Sequence, residues 1–144
     1  MADSTGTFVH PSSVVEAGAQ LGEGVHVGPF CHVSSHAVLK DGVRLMSHVV
    51  IQGATTLGEG CLVYPMAVLG APPQNFKHKG SVTRLTVGRD CTIREGVTMH
   101  AGSDTDHGET RVGNGCYFMN HAHIGHDCRV GDGVVMASVA SLGG

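Results

Sequence analysis

The chain has 144 residues, of which 22 are glycine, 4% are aromatic and none is tryptophan. So few large side chains argue against a conventional packed core and favour a repeat fold. A formal net charge of −3, without a run of Lys or Arg or an apolar run of about 18 residues, argues against nucleic acid, an anionic membrane surface and integral membrane association. The first residues also lack a basic segment followed by an apolar stretch, so we expect a cytoplasmic protein.

A period of six residues runs along nearly the whole sequence, because each unit opens with a large apolar residue. Eleven units follow one another without a slip, and after each of two excursions the period resumes, for three units and then for six. Twenty copies of one period indicate a solenoid. The openers are Val9, Val15, Leu21, Val27, Val33, Leu39, Leu45, Ile51, Leu57, Val63, Leu69, Val87, Ile93, Met99, Val112, Phe118, Ile124, Val130, Met136 and Leu142.

Two further positions of the unit are restricted. The second is often glycine, as at Gly28, Gly58 and Gly125, which we interpret as a backbone turn with positive φ. The fifth is small and shares a strand face with the next opener. All five cysteines occupy this fifth position, so we predict buried, reduced thiols and neither disulfides nor a catalytic thiol. They are Cys31, Cys61, Cys91, Cys116 and Cys128.

Short strands joined by a glycine turn in every unit cannot form hairpins, because the connections are too short. The pattern therefore predicts an all-β fold, a parallel solenoid of strands four or five residues long with three units in each coil. Coils stack at the spacing of a β-sheet, about 4.8 Å. About seven coils would form a triangular column on the order of 30 Å long.

Two excursions interrupt the repeat. Residues 70–86 are predicted to replace two units without loss of phase, and residues 101–111 form a polar, glycine-containing segment between Met99 and Val112. Loops that leave a rigid repeat often carry the ligand contacts. We therefore expect both excursions to project as loops near a binding site.

Residues 119–128 combine three histidines and an aspartate with intact repeat positions. Since Ala122 and Ile124 occupy inward positions, His123 is predicted to point outward and His126 to lie in the following turn. A histidine is well suited to accept a hydroxyl proton at neutral pH, and a neighbouring carboxylate can fix its tautomer. His126, with Asp127 adjacent in sequence, is therefore a candidate general base.

The hexapeptide pattern of residues 8–144 resembles the left-handed parallel β-helix family of acyl- and acetyltransferases, and the handedness comes from this resemblance alone. Seven local motifs are similar to one branch, the acyl-[acyl-carrier-protein]–UDP-N-acetylglucosamine O-acyltransferases of lipid A biosynthesis. The motifs are Phe8-Val9-His10-Pro11, Gly28-Pro29-Phe30-Cys31, Ser47-His48-Val49-Val50, Gln74-Asn75-Phe76-Lys77, Thr83-Arg84, Ile93-Arg94-Glu95-Gly96-Val97-Thr98-Met99-His100 and Asn120-His121-Ala122-His123-Ile124-Gly125-His126-Asp127-Cys128.

The resemblance implies a cytoplasmic homotrimer with active sites between subunits. We expect no cofactor and no metal, because the histidine cluster is assigned to proton transfer and substrate contact. Its reaction would move a 3-hydroxyacyl chain from acyl carrier protein to the 3-hydroxyl of UDP-N-acetylglucosamine. His126 would be the general base, Asp127 would orient it, and the backbone N–H of Gly144 would bind the thioester oxyanion. Substrate contacts are implied for Gln74, Asn75, Lys77, His100 and His123, although the family often has an aspartate where Asn75 stands.

The resemblance also implies that residues 1–144 are one truncated β-helix domain, without the further coils and the C-terminal helical domain of the family. A terminal carboxylate at Gly144 would then place a negative charge beside the developing oxyanion and destabilise it, so we expect this fragment to be inactive. Three alternatives stay open. They are an N-acyltransferase of the same pathway, a non-catalytic trimeric scaffold, and a zinc hydratase resembling the γ-class carbonic anhydrases with His100, His121 and His126 as ligands.

Overall fold

The computed structural model describes residues 6–144, which form twenty short strands and no helix. All strand pairs are parallel, and the strands form three sheets. In spatial order, sheet 1 contains β1 (Phe8–Val9), β4 (His26–Val27), β7 (Arg44–Leu45), β10 (Leu62–Val63), β13 (Thr92–Ile93), β16 (Tyr117–Phe118) and β19 (Val135–Met136). Sheet 2 contains β2 (Val14–Val15), β5 (His32–Val33), β8 (Val50–Ile51), β11 (Val68–Ala71), β14 (Thr98–His100), β17 (His123–Ile124) and β20 (Ser141–Leu142). Sheet 3 contains β3 (Gln20–Leu21), β6 (Val38–Leu39), β9 (Ala54–Leu57), β12 (Arg84–Val87), β15 (Glu109–Val112) and β18 (Arg129–Val130).

Consecutive strands lie in different sheets, so the chain winds around a prism. Val9 pairs with Val27, and Val27 pairs with Leu45, a step of three repeat units each time. Three walls per coil and seven strands in each of two sheets give about seven coils. The predicted all-β parallel solenoid is confirmed.

The apolar openers of the repeat fill the inside of the prism. Leu45, Ile51 and Leu57 are completely buried, and Phe118 is the largest side chain in this core. The fifth-position residues pack against them, and four of the five cysteines are buried there, whereas Cys128 is partly exposed. All five thiols are free, as predicted. They also connect coils, since the Cys61 Sγ donates a hydrogen bond of 3.0 Å to the carbonyl oxygen of Gly88.

The strands are shorter than predicted, because most of them contain only two residues. The rest of each unit forms the corner of the prism. Positive φ occurs at the fourth position of the unit, where seven residues other than glycine adopt it. They are Phe30, His48, Met66, Asp90, His121, Asp127 and Val139.

The interpretation of the second-position glycines was therefore wrong for Gly28, Gly58 and Gly125, which do not have positive φ, although it holds for Gly70, with φ of 90°. These glycines are required by the close approach of the next coil. A Cβ on Gly28 would lie 2.8 Å from the carbonyl oxygen of Met46, and one on Gly125 would lie 2.7 Å from the nitrogen of Gly144. Gly28 and Gly125 are thus needed for space, and the fourth position of the unit sets the turn.

Both excursions are inserted at the same corner of the prism, where the chain passes from sheet 2 to sheet 3. Val63 still pairs with Ile93, and Ile93 with Phe118, although each of these steps along the chain is longer than three units. The first excursion is thus added to a single corner, and the prediction that it replaces two units was wrong, because no wall of the prism is skipped. In the described part of the chain, no helix is long and apolar enough to cross a membrane.

Candidate active site

Two loops project from the corner between sheets 2 and 3 on successive coils. Loop A comprises residues 72–83, between β11 and β12, and loop B comprises residues 101–108, between β14 and β15. The next coil places residues 125–128 at the same corner, between β17 and β18. The rigid repeat thereby brings both excursions next to the histidine-containing segment.

His126 and Asp127 form a hydrogen-bonded pair at this corner. The Nδ1 atom of His126 lies 2.7 Å from Oδ2 of Asp127, and the two side chains are 18% and 2% exposed. Neighbouring residues in a strand would point to opposite faces. Asp127 instead adopts φ of 63° at the fourth position, a conformation that aspartate tolerates better than most residues, and this turns its carboxylate toward the imidazole.

Loop B fixes the Asp127 carboxylate. The backbone N–H of Ser103 donates to both carboxylate oxygens at 3.1 and 3.0 Å, and the N–H of Gly108 donates to Oδ1 at 3.1 Å. The N–H of Asp127 in turn donates to Oγ1 of Thr110 at 2.9 Å. An ionised carboxylate only accepts hydrogen bonds, so Nδ1 of His126 must carry the proton. Nε2 is then left with a lone pair that can accept one.

Gly144 lies beside that free nitrogen. The pairing of Ile124 with Leu142 places Gly144 one coil beyond His126. A Cβ on Gly144 would overlap the imidazole ring of His126, with Nε2 as its nearest atom. Only glycine leaves the ring in its observed position, so this backbone lines the space that a reacting group would occupy.

Two further histidines extend the site along sheet 2. His123 Nδ1 lies 2.7 Å from Oγ1 of Thr98, and its ring packs edge-on against His100 with the ring centroids 4.8 Å apart. His100 is buried, and its Nδ1 has no hydrogen-bond partner among the described residues. Burial lowers the pKa of His100, and the nearby His123 and His126 lower it further. His100 therefore favours the neutral form.

The three candidate residues of loop A have different environments. Gln74 and Lys77 are exposed. The Asn75 side chain is occupied within the protein, because its Nδ2 donates to Oγ of Ser103 at 3.1 Å and its Oδ1 accepts from the N–H of Lys77 at 3.0 Å. Asn75 thus joins loop A to loop B, next to the residue that holds Asp127.

Asp104 provides a second connection between the loops. Its carboxylate accepts hydrogen bonds from the backbone N–H groups of Lys79 and Ser81, and its Oδ1 lies 3.4 Å from Nδ1 of His78. Sequence reasoning identified loop B as a candidate but missed Ser103, Asp104 and Thr110 as individual residues. The polar composition of residues 101–111 was the available signal, and it did not indicate which groups face Asp127.

His121 lies at a different corner, between sheets 1 and 2, where it covers Gly96. It is therefore separated from His126 by the length of β17 within one chain. In residues 6–144, no group of three His, Cys, Asp or Glu side chains is arranged to hold a metal ion. A zinc site with His100, His121 and His126 would need a second subunit to bring these side chains together.

A groove of about 440 Å³ lies on the other side of loop A. Its lining includes His36, Gln52, His78 and Val82 but neither His126 nor Asp127. A second groove of about 450 Å³ lies along sheet 3, so size does not single out one cavity, whereas the paired titratable groups favour the corner at His126. We place the candidate active site at the corner, because a hydrogen-bonded pair of ionisable groups is the stronger indicator of chemistry.

Comparison with known proteins identifies related sequences and structures. Residues 109–143 match the bacterial transferase hexapeptide family (six repeats). The chain is 65% identical over 122 residues to an acyl-[acyl-carrier-protein]–UDP-N-acetylglucosamine O-acyltransferase of Mesorhizobium japonicum, covering 85% of this chain and 44% of the relative. The corresponding protein of Brucella ovis is 60% identical over 124 residues, covering 86% of this chain and 45% of the relative. The chain thus spans less than half the length of the curated relatives it matches.

A solved structure shows the same architecture. The UDP-N-acetylglucosamine acyltransferase from Bacteroides fragilis superposes with a TM-score of 0.93 at 31% identity, covering 95% of this chain and 53% of that protein. The left-handed parallel β-helix implied by the sequence resemblance is confirmed, and so is the resemblance itself.

Proposed function

We propose that this chain is part of an acyl-[acyl-carrier-protein]–UDP-N-acetylglucosamine O-acyltransferase and carries its general base, His126. The observation that supports the proposal most strongly is the His126–Asp127 pair, in which Nδ1 is held by a buried carboxylate and Nε2 remains free beside Gly144. The proposed reaction is taken from a relative of this name, to which the chain is 65% identical. The match covers only 44% of that relative, so we propose that the whole protein adds further coils and a helical domain.

In the proposed mechanism, Nε2 of His126 removes the proton from the 3-hydroxyl of the sugar as its oxygen attacks the thioester carbon. A tetrahedral oxyanion forms, and the backbone N–H of Gly144 stabilises it, an interaction typically worth about 3 to 4 kcal/mol. The carbon–sulfur bond then breaks, and the protonated imidazole returns its proton to the leaving thiolate. The negative charge of Asp127 stabilises the imidazolium between these two steps.

The remaining candidates are proposed to bind substrate. Gln74 and Lys77 on loop A are exposed to solvent and would contact the nucleotide sugar or the acyl donor. Asn75 would act mainly by holding loop A, given its bonds within the protein. His123 and His100 would line the substrate space along sheet 2, where their rings pack against each other.

Analysis of the product tests the proposed function. Full-length protein dialysed against a chelator is expected to transfer the acyl chain from acyl carrier protein to UDP-N-acetylglucosamine, giving an ester that mild alkali cleaves. An alkali-stable amide formed from an amino sugar would support the N-acyltransferase alternative. One bound zinc per chain, lost in His121→Ala, together with carbon dioxide hydration would support the zinc hydratase.

We further propose a cytoplasmic homotrimer. An isolated prism with flat faces buries less surface than a normal core, and the edge between sheets 1 and 2 exposes apolar residues on several coils. Phe30, Met66 and Val139 are 60%, 61% and 68% exposed on this edge. Closed threefold symmetry would cover such an edge in every subunit. Light scattering at micromolar concentration is expected to give three times the chain mass, and a stable monomer would contradict the proposal.

A further inference from the structure

Three arginines surround one glutamate on the outer face of sheet 3. Arg111 Nε lies 3.2 Å from Oε1 of Glu109, Arg129 Nη1 lies 3.7 Å from the same atom, and Arg84 Nε lies 3.7 Å from Oε2. The arginine side chains are 51% to 64% exposed, whereas the Glu109 side chain is 14% exposed. We call Arg84, Arg111 and Arg129 the arginine cluster.

The arginine cluster carries more positive charge than the one neighbouring carboxylate compensates. Burial would raise the pKa of Glu109, but a hydrogen bond of 3.0 Å from Thr86 and the charges of Arg111 and Arg84 outweigh it, so the pKa is lowered. Glu109 is therefore ionised at neutral pH. Among the described residues, Glu109 is the only carboxylate within 4.0 Å of these three guanidinium groups. Two of the three positive charges remain uncompensated on a chain whose net charge is −3.

The position of the arginine cluster relates it to the candidate active site. Arg84 is the first residue after loop A, Glu109 is the first after loop B, and Arg129 follows Asp127 by two positions. Their strands β12, β15 and β18 are neighbours in sheet 3, so they are separated by about 4.8 Å. The cluster therefore borders the corner that carries His126.

We propose that the arginine cluster is a docking site for a carboxylate-rich face of the acyl carrier protein that delivers the acyl chain. This inference rests on the proposed function. The cluster lies on an exposed sheet face across three strands, and an open groove of about 450 Å³ whose lining includes Thr86 and Arg111 runs beside it. Guanidinium groups pair with carboxylates through two parallel hydrogen bonds. Exposed charges of this kind increase the rate of encounter with an oppositely charged protein.

Steady-state kinetics of the full-length protein with two acyl donors test the inference. The double variant Arg84→Gln/Arg129→Gln leaves Arg111 to pair with Glu109. At low salt it is expected to raise the KM for acyl carrier protein by about twofold to thirtyfold, the range for loss of two exposed ion pairs. The kcat and the KM values for acyl-pantetheine, which lacks the protein, and for UDP-N-acetylglucosamine should not change.

Two further variants provide controls. Arg89→Gln removes an arginine that is also 64% exposed but lies at the corner after β12, on the side of sheet 3 away from loop A, and it should leave all KM values unchanged. Glu109→Gln removes the compensating charge and should lower the KM for acyl carrier protein. An unchanged KM in the double variant, or a rise confined to UDP-N-acetylglucosamine, would overturn the inference. Absence of transfer from both donors in the wild type would overturn the proposed function as well.

Discussion

Replacing His126 with alanine is expected to lower the kcat for acyl transfer by about two to four orders of magnitude, the usual contribution of general-base catalysis. The imidazole is 18% exposed and lies at a corner outside the prism core. Its removal therefore takes no apolar side chain from the core, and the thermal stability should change little. The measurement is the kcat of full-length protein at neutral pH, together with the midpoint of thermal unfolding.

Ile124→Ala provides the matched control two positions away. Ile124 is completely buried, so its truncation should cost about 2 to 5 kcal/mol in the free energy of unfolding. His123→Ala should instead raise KM more than it lowers kcat, if its substrate contact is equally strong in the ground and transition states. Assignment of His126 as the base fails if His126→Ala retains more than about a tenth of the wild-type kcat, or if its loss of activity only follows unfolding.

The second large effect is expected for Asp127→Asn. Asparagine tolerates the positive φ of this position, and its oxygen can still accept from the N–H groups of Ser103 and Gly108. Its Nδ2 group would then face Nδ1 of His126 and donate a hydrogen bond to it. This would move the imidazole proton to Nε2 and remove the lone pair that accepts the hydroxyl proton. The kcat should fall by about two to four orders of magnitude.

The folded structure should tolerate this change better than Asp127→Ala. Alanine would leave the buried N–H of Ser103 without its acceptor, at about 1 to 3 kcal/mol, whereas the N–H of Gly108 would keep its hydrogen bond to the carbonyl oxygen of Ser103. Urea denaturation is expected to rank the unfolding free energies, from highest to lowest, as wild type, Asp127→Asn and Asp127→Ala. A wild-type kcat in Asp127→Asn would show that the carboxylate does not set the tautomer.

The sequence was sufficient for the fold because a period of six residues leaves few ways to bury the openers. It also identified the segment that carries His123, His126 and Asp127. Handedness required the family resemblance, since spacing alone does not determine it. The roles of the glycines were misassigned because close approach of a neighbouring coil and positive φ both favour glycine, and only coordinates distinguish them.

The contacts that hold Asp127 and His126 in place could not be predicted from the sequence. Whether Asp127 faces His126 depends on one backbone dihedral angle at the corner. The contacts of Asp127 with Ser103 and Gly108 span 24 and 19 residues, and they depend on how a loop of irregular structure folds back. No repeat position determines such contacts. The arginine cluster also escaped notice, because its members are far apart in sequence and meet only through the register of sheet 3.

The tautomer of His126 is the most direct test of the proposed mechanism. Nitrogen-15 NMR of the histidine side chains in full-length protein at neutral pH can identify which ring nitrogen carries the proton, with the His126 signal assigned from its absence in His126→Ala. We expect the proton on Nδ1 in the wild type and on Nε2 in Asp127→Asn. A wild-type ring protonated on Nε2 would contradict the assignment of His126 as the general base.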